Sequence, residues 1–242
     1  KRNLTLVGCN LSISTDLMVG AGLVKRIECG SGSLERFGIP FRWRQAIEKG
    51  LVEMEDFSHL AMALRFLAGA LGIPFMPTTS LLGTDILNKK TSSPHKLFEI
   101  MDNPWNPAQP VVLLPALTPD VSIIHAQKAD EMGNVIIEGF TTQEPEMVKA
   151  SKAVIVSCEE IISSDEVRRT PELTTIPYIY VDAVVEQRWG AYPTSVYKYY
   201  EIDEEHIRWY QKCARAGGDE YHQYLKHNQC IIPTLLNKLI QE

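Results

Sequence analysis

The residues able to do chemistry in this sequence are scattered, and their spacing excludes more than it selects. Glu159 and Glu160 are adjacent near the end of an apolar run. Neighbours on a strand point to opposite faces, so the two cannot share a proton as an acid–base pair does. Their expected work is structural: a strand-end carboxylate binds the backbone N–H groups of the loop that follows. His125 closes the apolar run Val121–His125 and reads as a hydrogen-bonded structural histidine, with a pocket-lining donor as the alternative. Gly133-Asn134 reads as a turn into the next strand.

Motifs with a known mechanism are missing. Gly20-Ala-Gly22 and Gly30-Ser-Gly32 begin a GxG but lack the third glycine, and neither leads into a GK[ST] phosphate loop. No GxSxG supplies a nucleophile-elbow serine. No HExxH occurs. His222 and His227 are too far apart in angle, at about 100° per residue, to share a helix face. Nucleotide, serine-hydrolase and metal chemistry are all disfavoured, and no metal ligand set is expected.

Two segments are more informative. Glu28-Cys-Gly-Ser-Gly-Ser-Leu-Glu35 carries a strand, Leu23–Cys29, into a turn of small residues. In α/β sheets ligands bind at the carboxyl ends of the strands, where small residues let a ligand approach exposed N–H groups. Thr79-Ser-Leu-Leu-Gly-Thr-Asp85 follows the proline-punctuated Ile73-Pro-Phe-Met-Pro77 and obeys the same logic. A tight strand-to-helix turn fits either segment equally well, and spacing does not name a ligand.

The elements that must position these residues alternate between short apolar runs and helical periods: Leu4–Val7, Thr15–Ala21, Leu23–Cys29 and Ile39–Lys49. Such alternation predicts an α/β fold with an open, mainly parallel sheet flanked by helices. The clearest helix starts at Ser58 as N-cap, sets Leu60, Ala63, Leu64, Leu67, Ala68 and Leu71 on one stripe, and stops at Gly72 and Pro74. That stripe is expected to face a sheet. Residues 78–109 are rich in Thr, Ser, Asn, Gly and Pro and read as long loops that carry binding work. Further strands are expected at Val111–Leu114, Val121–His125, Val135–Ile137, Ala153–Ser157 and Tyr178–Val185, with a helix around Glu144–Lys152 and a helical, polar end from Glu204. The continuous run Val111-Val-Leu-Leu114 suits a sheet covered on both faces. No linker divides the chain, so 1–242 reads as a single domain.

Composition bounds the function classes. The 242 residues are 45% hydrophobic and 22% charged, with a formal net charge of −6; basic residues never run beyond a pair, which disfavours nucleic acid. Cys9, Cys29, Cys158, Cys213 and Cys230 are widely spaced and odd in number, against a disulfide framework and in favour of a reducing, cytoplasmic setting. The segment from Leu60 to Met76, broken by Arg65 and Pro74, falls short of the ~20 apolar residues of a membrane span. The first residue is Lys and no secretion leader is visible; the start is expected to lie upstream.

Taken together and in order, several blocks resemble the α (A) subunit of family I CoA-transferases of the glutaconate type. They are Ser33-Leu-Glu-Arg-Phe-Gly38 with Arg44, Ala46 and Glu48; Ile73-Pro-Phe-Met-Pro-Thr-Thr-Ser-Leu-Leu-Gly-Thr-Asp85; Met101-Asp-Asn-Pro-Trp105; Pro119 to Asn134; Ser157-Cys-Glu-Glu-Ile-Ile162; Ile176-Pro177; Tyr180 to Glu186; and Gly190-Ala191. The likeness covers roughly residues 4–210. It implies a CoA-transferase-like α/β fold and a β (B) subunit partner in a hetero-oligomer, a heterodimer or heterotetramer. The substrates would be an acyl-CoA and a carboxylic acid, with the CoA thioester as substrate and no bound cofactor. The nucleophilic glutamate is implied on the partner, leaving this chain to shape the acyl pocket with Ser31, Ser33 and Glu35 on the first loop and Gly83 and Thr84 on the second. The alternatives on the same scaffold are an acyl-CoA hydrolase of the ring-opening type and a non-catalytic stabilising subunit.

Three departures stand out. A Gly-rich stretch that precedes the match to Asn3–Gly8 in the family is absent. Gly190-Ala-Tyr-Pro-Thr194 replaces the family's Gly-Ala-His-Pro-Ser. Leu34 falls where relatives acting on glutaconate place a substrate-contacting serine, which argues against glutaconate itself as the substrate.

Overall fold

The computed structural model describes residues 2–90 and 95–227; Cys230 and the rest of the C-terminal stretch lie outside them. Two compact units make up the described chain: residues 2–56, 191–195 and 200–227 form the first, and Phe57–Gly190 with Val196–Tyr199 the second.

The first unit opens as β1 (Leu4–Leu11), α1 (Ile13–Gly20), β2 (Val24–Gly32), α2 (Phe41–Glu48) and β3 (Glu53–Asp56). Its three strands pair in parallel in the order β1-β2-β3, since each helix returns the chain to the same end of the sheet. Val24, Ile27, Cys29, Trp43, Ala46 and Val52 pack together in the core. A Cβ on Gly32 would lie 2.2 Å from the Trp43 ring, so only glycine lets that ring close over the end of β2. The strand expected to stop at Cys29 runs on through Gly30, Ser31 and Gly32. Ser31 is therefore a strand residue, and the turn begins at Ser33. Glycine and serine have weak strand propensity; pairing of Asn10 with Ser31 and Leu11 with Gly32 overrides it.

In the second unit, α3 (His59–Leu71) has the expected ends. Ser58 Oγ accepts from the Ala61 N–H at 3.0 Å, and Gly72 takes the left-handed conformation at φ 68° that glycine adopts without Cβ strain. The buried face differs from the expected stripe. Ala61, Met62, Arg65, Phe66 and Ala68 are inside, while Leu60 and Leu71 are exposed and Leu64 is only half-buried. The helix is apolar nearly all round, so periodicity does not choose the face; packing against the rest of the unit does. Arg65 is tolerated inside because its Nε donates to the Pro115 carbonyl at 3.2 Å and its guanidinium lies over the Phe57 ring at 4.4 Å.

Next come β4 (Phe75–Thr78), α4 (Asp85–Lys90), β5 (Glu99–Met101) and β6 (Val111–Pro115). The strands form an antiparallel sheet in the order β4-β6-β5. This corrects the expectation that Val111-Val-Leu-Leu114 lies in a sheet covered on both faces: only Val112 and Leu114 are buried, in the alternation of a half-buried strand.

A four-stranded sheet follows, built from β7 (Ser122–Asp130), β8 (Val135–Ile136), β9 (Val154–Ile162) and β10 (Ala183–Glu186), with α5 (Glu144–Ala150) and α6 (Ser164–Arg169) in the connections. Its order is β10-β9-β7-β8; β10, β9 and β7 are parallel and β8 is antiparallel. Ile124, Ala126, Val154 and Val156 meet Val148 of α5 in the core. Within the run expected as a strand over Tyr178–Val185, residues Tyr178–Tyr180 form a 3-10 turn. The chain then returns to the first unit as α7 (Glu204–Ala216) and α8 (Gly218–His227), whose Tyr210, Tyr221 and Tyr224 bury against Ile13 and Leu34.

The architecture is a mixed α/β fold in which a parallel sheet and a mainly parallel sheet are joined along the chain by a small antiparallel one, with helices in the connections, as its alternating sequence pattern leads one to expect. Among the described residues no helix is long and apolar enough to cross a membrane.

Candidate functional site

Parallel pairing of β1 with β2 brings Asn10 opposite Ser31 at the carboxyl ends of both strands. Ser31 Oγ donates to Asn10 Oδ1 at 2.9 Å, and Asn10 Nδ2 donates to Glu35 Oε1 at 3.4 Å. Ser33 Oγ accepts from the Glu35 N–H at 2.9 Å. Ser31, Ser33 and Glu35 thus come together in one rim, with Asn10 as the link between them. No local signal marks Asn10; its role depends on the register of a strand twenty residues further along.

Glu35 sits at φ 52°, a left-handed conformation that disfavours a side chain by roughly 1–2 kcal/mol. The Ser33 hydroxyl, a Leu34 N–H to Gly38 carbonyl bond of 2.7 Å and burial of Leu34 to 4% exposure hold it there. Leu34 packs against Ile13, Tyr210 and Tyr221; it is a core residue and does not line the rim. Asn10 and Glu35 are exposed, and Ser31 and Ser33 half-buried. The Ser31 hydroxyl bonds a side-chain amide and the Ser33 hydroxyl a backbone N–H, neither of which can take a proton from a nucleophile. The arrangement suits holding and orienting a polar ligand rather than attacking it.

Gly83 and Thr84 come together in the second unit, in the loop between β4 and α4. Leu81 anchors that loop at 1% exposure. Thr84 Oγ1 donates to the Leu81 carbonyl at 2.8 Å, which commits its proton to the turn. Gly83 has φ 75°, and a Cβ there would touch nothing within 4 Å. Backbone conformation, rather than crowding, requires glycine at this position.

The second unit also assembles a chain of polar contacts that the sequence shows only in pieces. His125 Nδ1 lies 2.8 Å from Ser157 Oγ, and its Nε2 lies 2.7 Å from Glu159 Oε1. Glu159 accepts from the N–H groups of Trp189 at 2.7 Å and Gly190 at 3.2 Å. Glu160 points the other way, taking the Tyr199 hydroxyl at 3.3 Å. Opposite faces and a loop-binding carboxylate both match expectation, and His125 is a satisfied structural histidine. On the turn after β7, Asp130 accepts from the N–H and the side-chain amide of Asn134. Burial pushes the Asp130 carboxyl up, but these bonds and that of Ser164 outweigh it and hold it below the usual range.

The Gly-Ala-Tyr-Pro-Thr departure also has a geometry. The Tyr192 hydroxyl donates to Asp203 Oδ2 at 2.6 Å and lies 3.1 Å from His206 Nδ1, so an imidazole reaches this position from α7. Burial and the Asp203 carboxylate push the Tyr192 hydroxyl up to about 12. Burial also lowers His206, against the pull of Asp203. Among the described residues no cluster of His, Cys, Asp or Glu is placed to hold a metal ion. The four described cysteines are buried thiols.

Comparison with known proteins identifies the relatives of the chain. The sequence profile of a family described as Coenzyme A transferase matches residues 1–187. The A subunit of glutaconate CoA-transferase from Acidaminococcus fermentans is 36% identical over 228 residues, 90% of this chain and 71% of that protein. The crystal structure of that glutaconate coenzyme A-transferase superposes with a TM-score of 0.87 at 34% identity, over 93% of this chain and 74% of its own. An uncharacterized protein of Archaeoglobus fulgidus is 37% identical over 91% of this chain, which spans about half (48%) of that relative's length. A variant of the decarboxylase AibA/AibB superposes with a TM-score of 0.83 at 25% identity, over 95% of this chain and 83% of its own.

Proposed function

This chain belongs to the coenzyme A transferase family, on the side of its α (A) chains, and we propose that with a B-subunit partner it moves coenzyme A between an acyl-CoA and a carboxylic acid. The nucleophilic carboxylate belongs to the partner. Its oxygen attacks the thioester carbonyl, the C–S bond breaks and CoA leaves as thiolate. The thiolate then attacks the enzyme's carbonyl of the resulting anhydride, releasing the first acid and leaving an enzyme–CoA thioester for the acceptor acid. Splitting one exchange between two stable acyl groups into such steps lowers each barrier, provided water is excluded.

The observation that carries this chain's share is the Asn10–Ser31–Glu35 rim at the carboxyl ends of β1 and β2, where open α/β sheets bind ligands. Ser31 and Ser33 keep that rim small, and the fixed amide and hydroxyl dipoles orient a polar group without reorganising. Gly83 and Thr84, on a loop of the second unit, are proposed by the same reading as further substrate-contacting residues. A cytoplasmic setting belongs to the proposal and is supported by the buried thiols.

Transfer from acyl-CoAs to a panel of carboxylates tests the proposal, using the chain co-purified with its B subunit. Activity is expected only in the complex. Ser33→Trp is expected to reduce turnover by about 100-fold or more by misplacing the acyl group, with the complex intact. Full activity in a folded Ser33→Trp complex would remove the rim from the site. CoA release without an acceptor would favour hydrolysis, and no turnover with the partner would leave only a stabilising role.

A further inference from the structure

The turn that carries Glu35 is held from outside by α7. Residues Leu34–Gly38 close on themselves through the Phe37 N–H to Leu34 carbonyl bond at 3.0 Å and the Gly38 N–H to Glu35 carbonyl bond at 3.0 Å. Bonds of that kind shape the turn without fixing where it sits on the unit. A left-handed glutamate persists only where its surroundings over-determine the backbone. Glu204, Arg208 and Gln211 of α7 add that constraint; four and then three residues apart, they lie along one side of the helix.

Two sets of contacts reach the turn. Gln211 Nε2 donates to the Phe37 carbonyl at 2.5 Å. Glu204 accepts from Arg36 through Oε1 at 2.5 Å and from Arg208 through Oε2 at 3.3 Å. Both guanidinium groups lie over the Phe37 ring, Arg36 at 5.4 Å from its centroid and Arg208 at 5.3 Å. Phe37, Arg36, Glu204 and Arg208 thus close a ring of contacts, half from the turn and half from α7. A single exposed ion pair is worth little, but here two cations share one carboxylate and one aromatic ring, which makes the set a network. On the adjacent side of α7, Tyr210, Cys213 and Ala214 pack with the buried Leu34, so the helix cannot slide past the turn.

We propose that α7 is the positioning element of the rim, with Gln211 and Glu204 as positioning residues that act through Phe37 and Arg36 to aim the Glu35 carboxylate. The inference rests on the functional reading above and adds residues that lie beyond the 1–187 match of the family profile. A turn serving stability alone is best served by glycine at its left-handed position. This one keeps a glutamate at φ 52°, with its side chain exposed. The Asn10 contact to that carboxylate is long, at 3.4 Å, so its aim depends on the backbone beneath it.

The test uses the full-length chain with its B subunit and reads kcat and KM for CoA transfer. Gln211→Met keeps the length of the side chain and removes the donor; it is expected to lower kcat by about 10-fold with KM unchanged. Gln211→Lys restores an N–H donor and is expected to return kcat to within about 3-fold of wild type. Glu204→Ala removes the second tie and is expected to lower kcat by about 3-fold. Because both residues act through Glu35, Gln211→Met in a Glu35→Ala background is expected to cause no further loss. Wild-type kcat in either folded variant overturns the proposal, as does a full further loss in the Glu35→Ala background. A loss carried by KM alone, a loss that Gln211→Lys leaves in place, or a Gln211→Met chain that does not fold assigns Gln211 to binding or packing and overturns it too. A wild-type complex that moves no CoA, or full activity in Glu35→Ala, overturns the functional reading as well. Loss in Glu35→Ala beside wild-type kcat in Gln211→Met overturns this inference alone.

Discussion

The carboxylate of Glu159 and the imidazole of His125 meet at 2.7 Å, and the same carboxylate holds the turn that follows β10. Gly190 in that turn lies so close that a Cβ would stand 2.4 Å from His125 Cε1. Gly190→Ala is expected to overpack the site and cost about 1–3 kcal/mol. Glu159→Gln turns an amide toward a backbone donor and is expected to cost about 1–3 kcal/mol. Because both act on one contact, the double variant should lose less than the two single losses added together. Urea unfolding of the four proteins checks this; strict additivity would show that the turn is held elsewhere.

Leu34 gives a prediction that separates packing from specificity. Leu34→Ser removes a buried side chain from beside Ile13 and Tyr210 and is expected to cost about 2–5 kcal/mol, without changing which acyl group the complex prefers. A stable variant with altered acyl preference would return Leu34 to the pocket.

The pH dependence of stability follows from His206. Its folded pKa lies below the ordinary 6.5 because of burial, with Asp203 pulling the other way and His227 adding to the depression. Tyr192, Tyr224 and Trp209 are the other groups packed on the ring. As pH falls below 6.5 the unfolded chain takes up the proton before the folded one, so stability present above that pH is lost on acidification. Asp203 acts in a lower window. The Tyr192 hydroxyl bond and the His206 N–H hold its carboxyl below 3.8, a contribution lost only as pH falls through that range. Urea midpoints at pH 7.5 and 5.5 are expected to drop more for the wild type than for His206→Gln. Equal drops would place the titration on another group.

The limits of the sequence show most clearly at the site. Ser31, Ser33 and Glu35 could be proposed together because they lie within five residues. Asn10, which ties Ser31 to Glu35, could not, since only the pairing of β1 with β2 brings it there. Ser157 and Glu159 share a strand face by simple alternation, but the imidazole between them arrives from β7, more than thirty residues earlier in the chain.

What the amino-acid order settled alone was local. Ser58 and Gly72 end their helix, Gly133-Asn134 turn the chain, and alternating runs of period two and 3.6 set the succession of strands and helices, because caps, turns and amphipathic stripes depend on residues within a few positions of one another. Tertiary structure decided what those elements did with their faces. It chose which side of the uniformly apolar α3 to bury, extended β2 through Ser31, turned Leu34 into core and left Phe75 and Met101 outside. Each of these outcomes depends on register and packing between segments far apart in the chain, where no short-range preference distinguishes one partner from another.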